Sequence, residues 1–123
     1  MLNSQEFLDV LSEKTGIEYL YPDIGLHGGG WHIHSKGGKL NIHLDYSIHP
    51  KTGLQRKLNL IVYLTEGWKP EWGGGTLIDG ELVPYVGNRL VVFDAYLPHM
   101  AMPVTRECYD LRSVIVFKCN RDV

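Results

Sequence analysis

Past Gly16 the chain breaks into short apolar or alternating runs. Each is closed by a glycine, a proline or an Asp/Asn turn, and fourteen glycines supply much of that punctuation. A pattern of this kind leaves few architectures besides a sandwich or barrel of short strands. One segment ahead of it differs. Asn3 to Lys14 reads as a helix, with Asn3 as N-cap, Glu6 three residues later as in a capping box, and Gly16 as the stop. Phe7, Leu8 and Leu11 form one apolar stripe, so this helix is expected to cover one face of a sheet. At 123 residues the chain is expected to be a single domain, residues 1–123, around one core.

About eight strands follow. Ile17 to Asp23 is a short one, and Trp31 to His34 alternates. Ser35 to Gly38 is expected to be a hairpin turn into the strand Gly38–Ser47. Arg56 to Leu64 barely alternates, which predicts a strand buried on both faces. Glu66 to Gly75 is a turn-rich segment carrying Trp68 and Trp72, with packing as their expected role. Thr76–Ile78 and Glu81–Val83 flank Asp79-Gly80, a strong hairpin signal. Arg89–Asp94 is an apolar strand, His99 opens or precedes the extended stretch Met100–Val104, Arg106–Asp110 is a polar turn, and Arg112–Cys119 is the last strand.

Four of the six histidines (His27, His32, His34, His43) fall within 17 residues. In the strand Gly38–Ser47, His43 and Asp45 are two apart and so share a face. One imidazole and one carboxylate make two thirds of a facial triad, the arrangement that holds non-haem Fe(II) and leaves positions open. Alone, the pair reads equally as the polar face of a half-exposed strand. His99 is the best third ligand, just past the strand Arg89–Asp94; taken singly it is also an ordinary loop histidine. A cosubstrate carboxylate deep in a β barrel needs a fixed cation, for which arginine's fork is suited. Arg112 opens the last apolar strand 13 residues after His99, or else is a surface arginine at a strand end. The order His-x-Asp, long gap, His, then Arg is far more specific than any one member.

With Gly37-Gly38 before His43-Leu44-Asp45, Asn59 to Leu64, Trp72-Gly73-Gly74, Asn88 to Phe93, His99 with Pro103, and Arg112-Ser113, the chain resembles the Fe(II)/2-oxoglutarate-dependent dioxygenase superfamily. Within it the prolyl 4-hydroxylase-like branch is the nearer. The likeness runs from about Phe7 to Cys119. It implies a mostly β fold, a double-stranded β-helix (jelly roll) with one N-terminal covering helix. It implies Fe(II), with 2-oxoglutarate and O2 as cosubstrates, and hydroxylation of an unactivated C–H bond. His43, Asp45 and His99 would ligate the iron and Arg112 would bind the distal carboxylate of 2-oxoglutarate; His34 and Asn59 are further candidates for the pocket wall. The sequence departs from the family at His34, which replaces a tyrosine, at Met100, where glycine is frequent, and in a slightly longer spacing from His99 to Arg112.

Two other readings compete. One is a cupin-like metal enzyme without 2-oxoglutarate, which would need an extra ligand, such as His27 or His32, and no buried arginine. The other is a non-catalytic β-sandwich module using Trp31, Trp68 and Trp72 as a stacking platform. Net charge is −2, with no basic stripe, so nucleic acid is not an expected partner. No second arginine follows Arg112, which disfavours a nucleic-acid demethylase. The substrate is expected to be a residue of a protein or peptide, prolyl or other, or a small molecule; the sequence leaves the oligomeric state open. With no signal peptide, 18-residue apolar run or lipidation motif, membrane association is not expected and a cytoplasmic location is. Cys108 and Cys119 read as buried or half-buried thiols.

Overall fold

A computed structural model describes residues 5–17, 20–22, 30–43 and 54–121. Helix α1 spans Gln5–Thr15. Glu6 in its first turn and Lys14 in its last complement the helix dipole. It ends where Gly16, at φ 75°, donates its N–H to Ser12 O. The expected cap, Asn3, lies outside the described residues. No helix among these residues is long and apolar enough to cross a membrane.

Nine strands follow among the described residues: β1 (Tyr21–Pro22), β2 (Gly30–His34), β3 (Leu40–His43), β4 (Gln55–Tyr63), β5 (Thr76–Ile78), β6 (Glu81–Val83), β7 (Leu90–Asp94), β8 (His99–Ala101) and β9 (Arg112–Arg121). They form two antiparallel sheets. The larger runs β1-β9-β4-β7, with β2 pairing the same edge of β9 as β1; the smaller runs β3-β8-β5-β6. From β2 to β9 the chain changes sheet at every connection except the β5–β6 hairpin, which is the winding of a jelly roll. That hairpin turns through Asp79 (φ 47°) and Gly80 (φ 84°), both left-handed, as a two-residue turn matched to strand twist requires.

Strand β4 sits between β9 and β7 and is covered on both sides, which is why its sequence hardly alternates. On the outer side Leu58 and Leu60 pack with Leu8, Leu11, Leu20, Phe117 and Cys119 beneath the helix. On the inner side Ile61 and Tyr63 pack with Val91, Phe93, Val114 and, from the facing sheet, Ile78. Both cysteines are buried and unbridged, and burial pushes the Cys119 thiol up to about 12.

Ser35 to Gly38 is not a hairpin turn. β2 belongs to the larger sheet and β3 to the smaller, so this turn carries the chain across the sandwich. It is pinned by a different segment: Gly37 N–H donates to Val104 O at 2.6 Å, and Val104 N–H to Gly38 O at 3.1 Å. Among the described residues of the expected strand Ile17–Asp23, Tyr21–Pro22 pairs. β8 stops at Ala101, and beyond it Val104 makes a single bridge to Gly73.

Candidate active site

The inner faces of the two sheets enclose a cavity of about 140 Å³. Arg112, at the first position of β9, is 3% exposed and marks one end. Its Nε–H donates to Gly74 O, and its guanidinium lies 5.9 Å from the Tyr63 ring centre and 5.6 Å from that of Tyr85. The two tyrosine rings stack 4.4 Å apart. Each is anchored: Tyr63 shares a 2.6 Å hydroxyl contact with Thr76 Oγ1, and Tyr85 donates to Ser113 O at 2.6 Å. Burial pulls the Arg112 pKa down, with Tyr63 and then Tyr85 opposing, and burial pushes Tyr63 up. Among the described residues no carboxylate is paired with Arg112, and its Nη groups make no hydrogen bond. They are available to a bidentate anion.

His34 stands directly across from Arg112 on the neighbouring strand β2 and lines the same cavity. Its Nδ1 is buried with no hydrogen-bond partner among the described residues. Burial, then the charges of Arg112 and His32, hold its pKa below the usual histidine value.

The other end is set by His99, 7% exposed, the first residue of β8. Its Nδ1 lies 2.9 Å from Leu97 O. A carbonyl only accepts, so the proton is assigned to Nδ1 and the lone pair to Nε2. The ring meets Phe93 edge-on at 4.8 Å. His43 and His99 are directly opposed residues of β3 and β8. The His43 side chain and Asp45 lie outside the described residues, and among those residues no cluster of three metal-ligating groups occurs. Asn59, 2% exposed, lines this end in a row with Phe93 on β7 and Lys118 on β9.

Strand alternation explains the departures noted above. His99 and Ala101 line the cavity, so Met100 is directed to the other face of β8, opposite Leu77. The longer spacing is taken up by a packed turn: Cys108 is buried against Trp72 and Val104, and Thr105 N–H donates to Trp72 O. Trp72 is itself buried and meets Trp68 edge-on at 5.0 Å, while Trp31 is 68% exposed on β2. The three tryptophans therefore make no common stacking platform. Sequence reasoning missed Lys118 and Thr76, both buried at the cavity. Counting by twos from Arg112 would have found Lys118; no sequence signal pointed to Thr76.

A profile of the 2OG-Fe(II) oxygenase superfamily matches residues 29–117, and the chain belongs to that superfamily. Among solved structures it is similar to a Pseudomonas putida prolyl-4-hydroxylase (28% identity, TM-score 0.60, covering 74% of this chain and 46% of that one). It is also similar in fold to a prolyl 4-hydroxylase from Phytophthora capsici (21% identity, TM-score 0.69, 98% and 41%). A third is the viral collagen prolyl hydroxylase of Paramecium Bursaria Chlorella virus-1, solved as a 2OG complex (15% identity, TM-score 0.60, 100% and 77%). The chain thus spans less than half the length of the first two. No curated protein is significantly similar to it in sequence.

Proposed function

We propose that this chain is an Fe(II)- and 2-oxoglutarate-dependent hydroxylase in which His43, Asp45 and His99 hold the metal and Arg112 holds the distal carboxylate of 2-oxoglutarate. The observation that carries the reading is the buried Arg112 guanidinium, pinned among the described residues through Nε alone, at the opposite end of one cavity from His99. A cation this deep needs an anion to offset its desolvation. Family membership supplies one of matching chemistry, and the orphaned His34 Nδ1 beside it fits a hydrogen bond to the same carboxylate. The cupin-like reading expects no buried arginine, and the buried Arg112 argues against it.

The backbone register opposes His43 of β3 to His99 of β8, which supports the two as partners at one metal. Leu97 fixes the His99 tautomer so that Nε2 faces the ligand role. Bound iron with 2-oxoglutarate supplies the oxidising power that converts O2 and a C–H bond to an alcohol, with succinate and CO2 as coproducts. The protein's part is orientation and exclusion of water: Arg112 and His34 grip the cosubstrate, while Ile61, Val114 and Val116 keep the middle of the cavity apolar. By likeness to the prolyl hydroxylases, a residue in a protein or peptide is one candidate substrate.

Anaerobic titration of metal-free protein with Fe(II) and then 2-oxoglutarate tests this. A weak visible charge-transfer absorption should appear on adding 2-oxoglutarate and should require far more of it in Arg112→Ala. Iron binding without that absorption overturns the reading.

A further inference from the structure

Among the described residues β6 ends the smaller sheet and β7 the larger, and neither pairs with the other. Between these two edges the sandwich opens into a cleft of about 370 Å³. Ile78, Val83, Val91 and Leu97 supply apolar walls. Asp79 and Glu81, exposed at the β5–β6 turn, stand at its rim. This is not the cavity described above, but the two spaces share a wall. Phe93 is the one described residue that lines both. On the cavity side its ring meets that of His99 edge-on at 4.8 Å. Among the described residues, one buried ring thus stands between the cleft and the His99 end.

The oxygenase reading brings three reactants to that end: 2-oxoglutarate, the primary substrate and O2. Anchored on Arg112 and on the metal, 2-oxoglutarate would span the 140 Å³ cavity from end to end. The cleft suits a different reactant. Its carboxylate rim repels an anion such as 2-oxoglutarate. Its apolar side chains offer a polar substrate no hydrogen bond in place of those lost with water. A neutral apolar diatomic meets neither cost, since apolar cavities stay dry and take up apolar gases such as xenon. A packed ring lets such a molecule by when it swings, and core side chains do hop between rotamers.

We propose that the cleft between β6 and β7 is an O2-binding antechamber and that Phe93 is the gate through which O2 passes to the His99 end of the cavity. The proposal rests on the oxygenase reading.

The test uses dissolved O2 itself, which is paramagnetic and speeds the relaxation of the methyl protons it visits. The methyl-labelled chain, loaded with redox-inert Zn(II) and saturated with 2-oxoglutarate, is compared by NMR under N2 and under O2. Methyls of Ile78, Val83, Val91 and Leu97 should show an O2 effect about threefold or more above that of Leu11 and Leu60 beneath the helix, and above exposed Leu82 and Val86. In Val83→Phe, which fills the cleft from β6, the effect at Val91 and Leu97 should vanish, while 2-oxoglutarate affinity moves by less than about twofold. In Phe93→Ala the effect should spread to Val114 and Val116 of the cavity.

A second readout uses the Fe(II)-loaded, 2-oxoglutarate-saturated chain mixed with O2 in a stopped flow. The O2-dependent decay of the visible charge-transfer absorption should be about threefold or more slower in Val83→Phe. Cleft methyls no more affected than the reference methyls overturn the proposal. It also falls if Val83→Phe empties the cleft but leaves the decay unchanged, or if Phe93→Ala leaves Val114 and Val116 as they were. Val83→Met and Phe93→Leu replace these variants should they fail to fold. If the unmodified chain does not bind 2-oxoglutarate, the oxygenase reading falls and this one with it; if it binds but O2 does not collect in the cleft, only this one falls.

Discussion

His34 and Arg112 are directly opposed on β2 and β9, a half-buried imidazole with a buried Nδ1 beside a buried guanidinium. The pair makes His34 a neutral hydrogen-bonding group at one end of the cavity and gives it a signed pH response. Its pKa lies below 6.5, through burial first and the charge of Arg112 second. The unfolded chain therefore binds this proton more readily than the folded one. Stability from His34 is complete above about pH 6.5 and is lost as pH falls through the folded value. Urea unfolding across that range should show the fall, and His34→Asn should flatten it. An anion on Arg112 should raise the His34 pKa, so an NMR titration should shift upward when 2-oxoglutarate is added.

Arg112→Lys should not be a conservative change. Lysine cannot reproduce a grip through Nε on Gly74 O together with two Nη donors toward an anion. Loss of a buried charged contact costs about 2–5 kcal/mol, so 2-oxoglutarate affinity should fall by about 30-fold or more in Arg112→Met, with Arg112→Lys between. Calorimetric titration of the Zn(II)-loaded protein measures this directly.

Gly74→Ala should damage the site without touching a ligand. Gly74 has φ 74°, and an added Cβ would meet Trp68 Cζ2 at 3.0 Å and Arg112 Cδ at 3.2 Å. The left-handed backbone costs a residue with a side chain about 1–3 kcal/mol, and the clash adds to it. Denaturant unfolding should show the loss of stability. Binding should show weaker 2-oxoglutarate affinity, because Arg112 must move.

Removing Asp45 or His99 should abolish metal stabilisation. With free Mn(II) at a hundred times its Kd, the unmodified chain should gain about 2.7 kcal/mol of unfolding free energy. Asp45→Ala and His99→Ala should gain almost none. Thermal shift with and without metal tests this, and a full shift in either variant would remove that residue from the ligand set.

Tyr63→Phe should destabilise the chain by about 1–3 kcal/mol, because it leaves the buried Thr76 hydroxyl without its 2.6 Å partner. Tyr63→Phe paired with Thr76→Val should recover part of the loss, which a double-mutant cycle would read as coupling.

Much of this was legible in the residues themselves. Alternation in Trp31–His34, the unbroken apolar run of β4 and the Asp79-Gly80 turn declare their strands, because pleat and turn geometry act on neighbours in the chain. The ordered set His43, Asp45, His99, Arg112 identified a chemistry, since few arrangements use those groups in that sequence. Side-chain type and local spacing did not determine which sheet each strand joined. The turn Ser35–Gly38 reads as a hairpin until Val104, far along the chain, takes its hydrogen bonds and sends β3 to the other sheet. Only the tertiary structure sets Leu97 O against His99, stacks Tyr63 and Tyr85 beside Arg112, and leaves His34 Nδ1 unsatisfied next to it. It alone gathers Lys118, Asn59 and Phe93 into one row at the His99 end. These are contacts between residues distant in sequence. Their free energy comes from shared burial and charge, which no local pattern encodes.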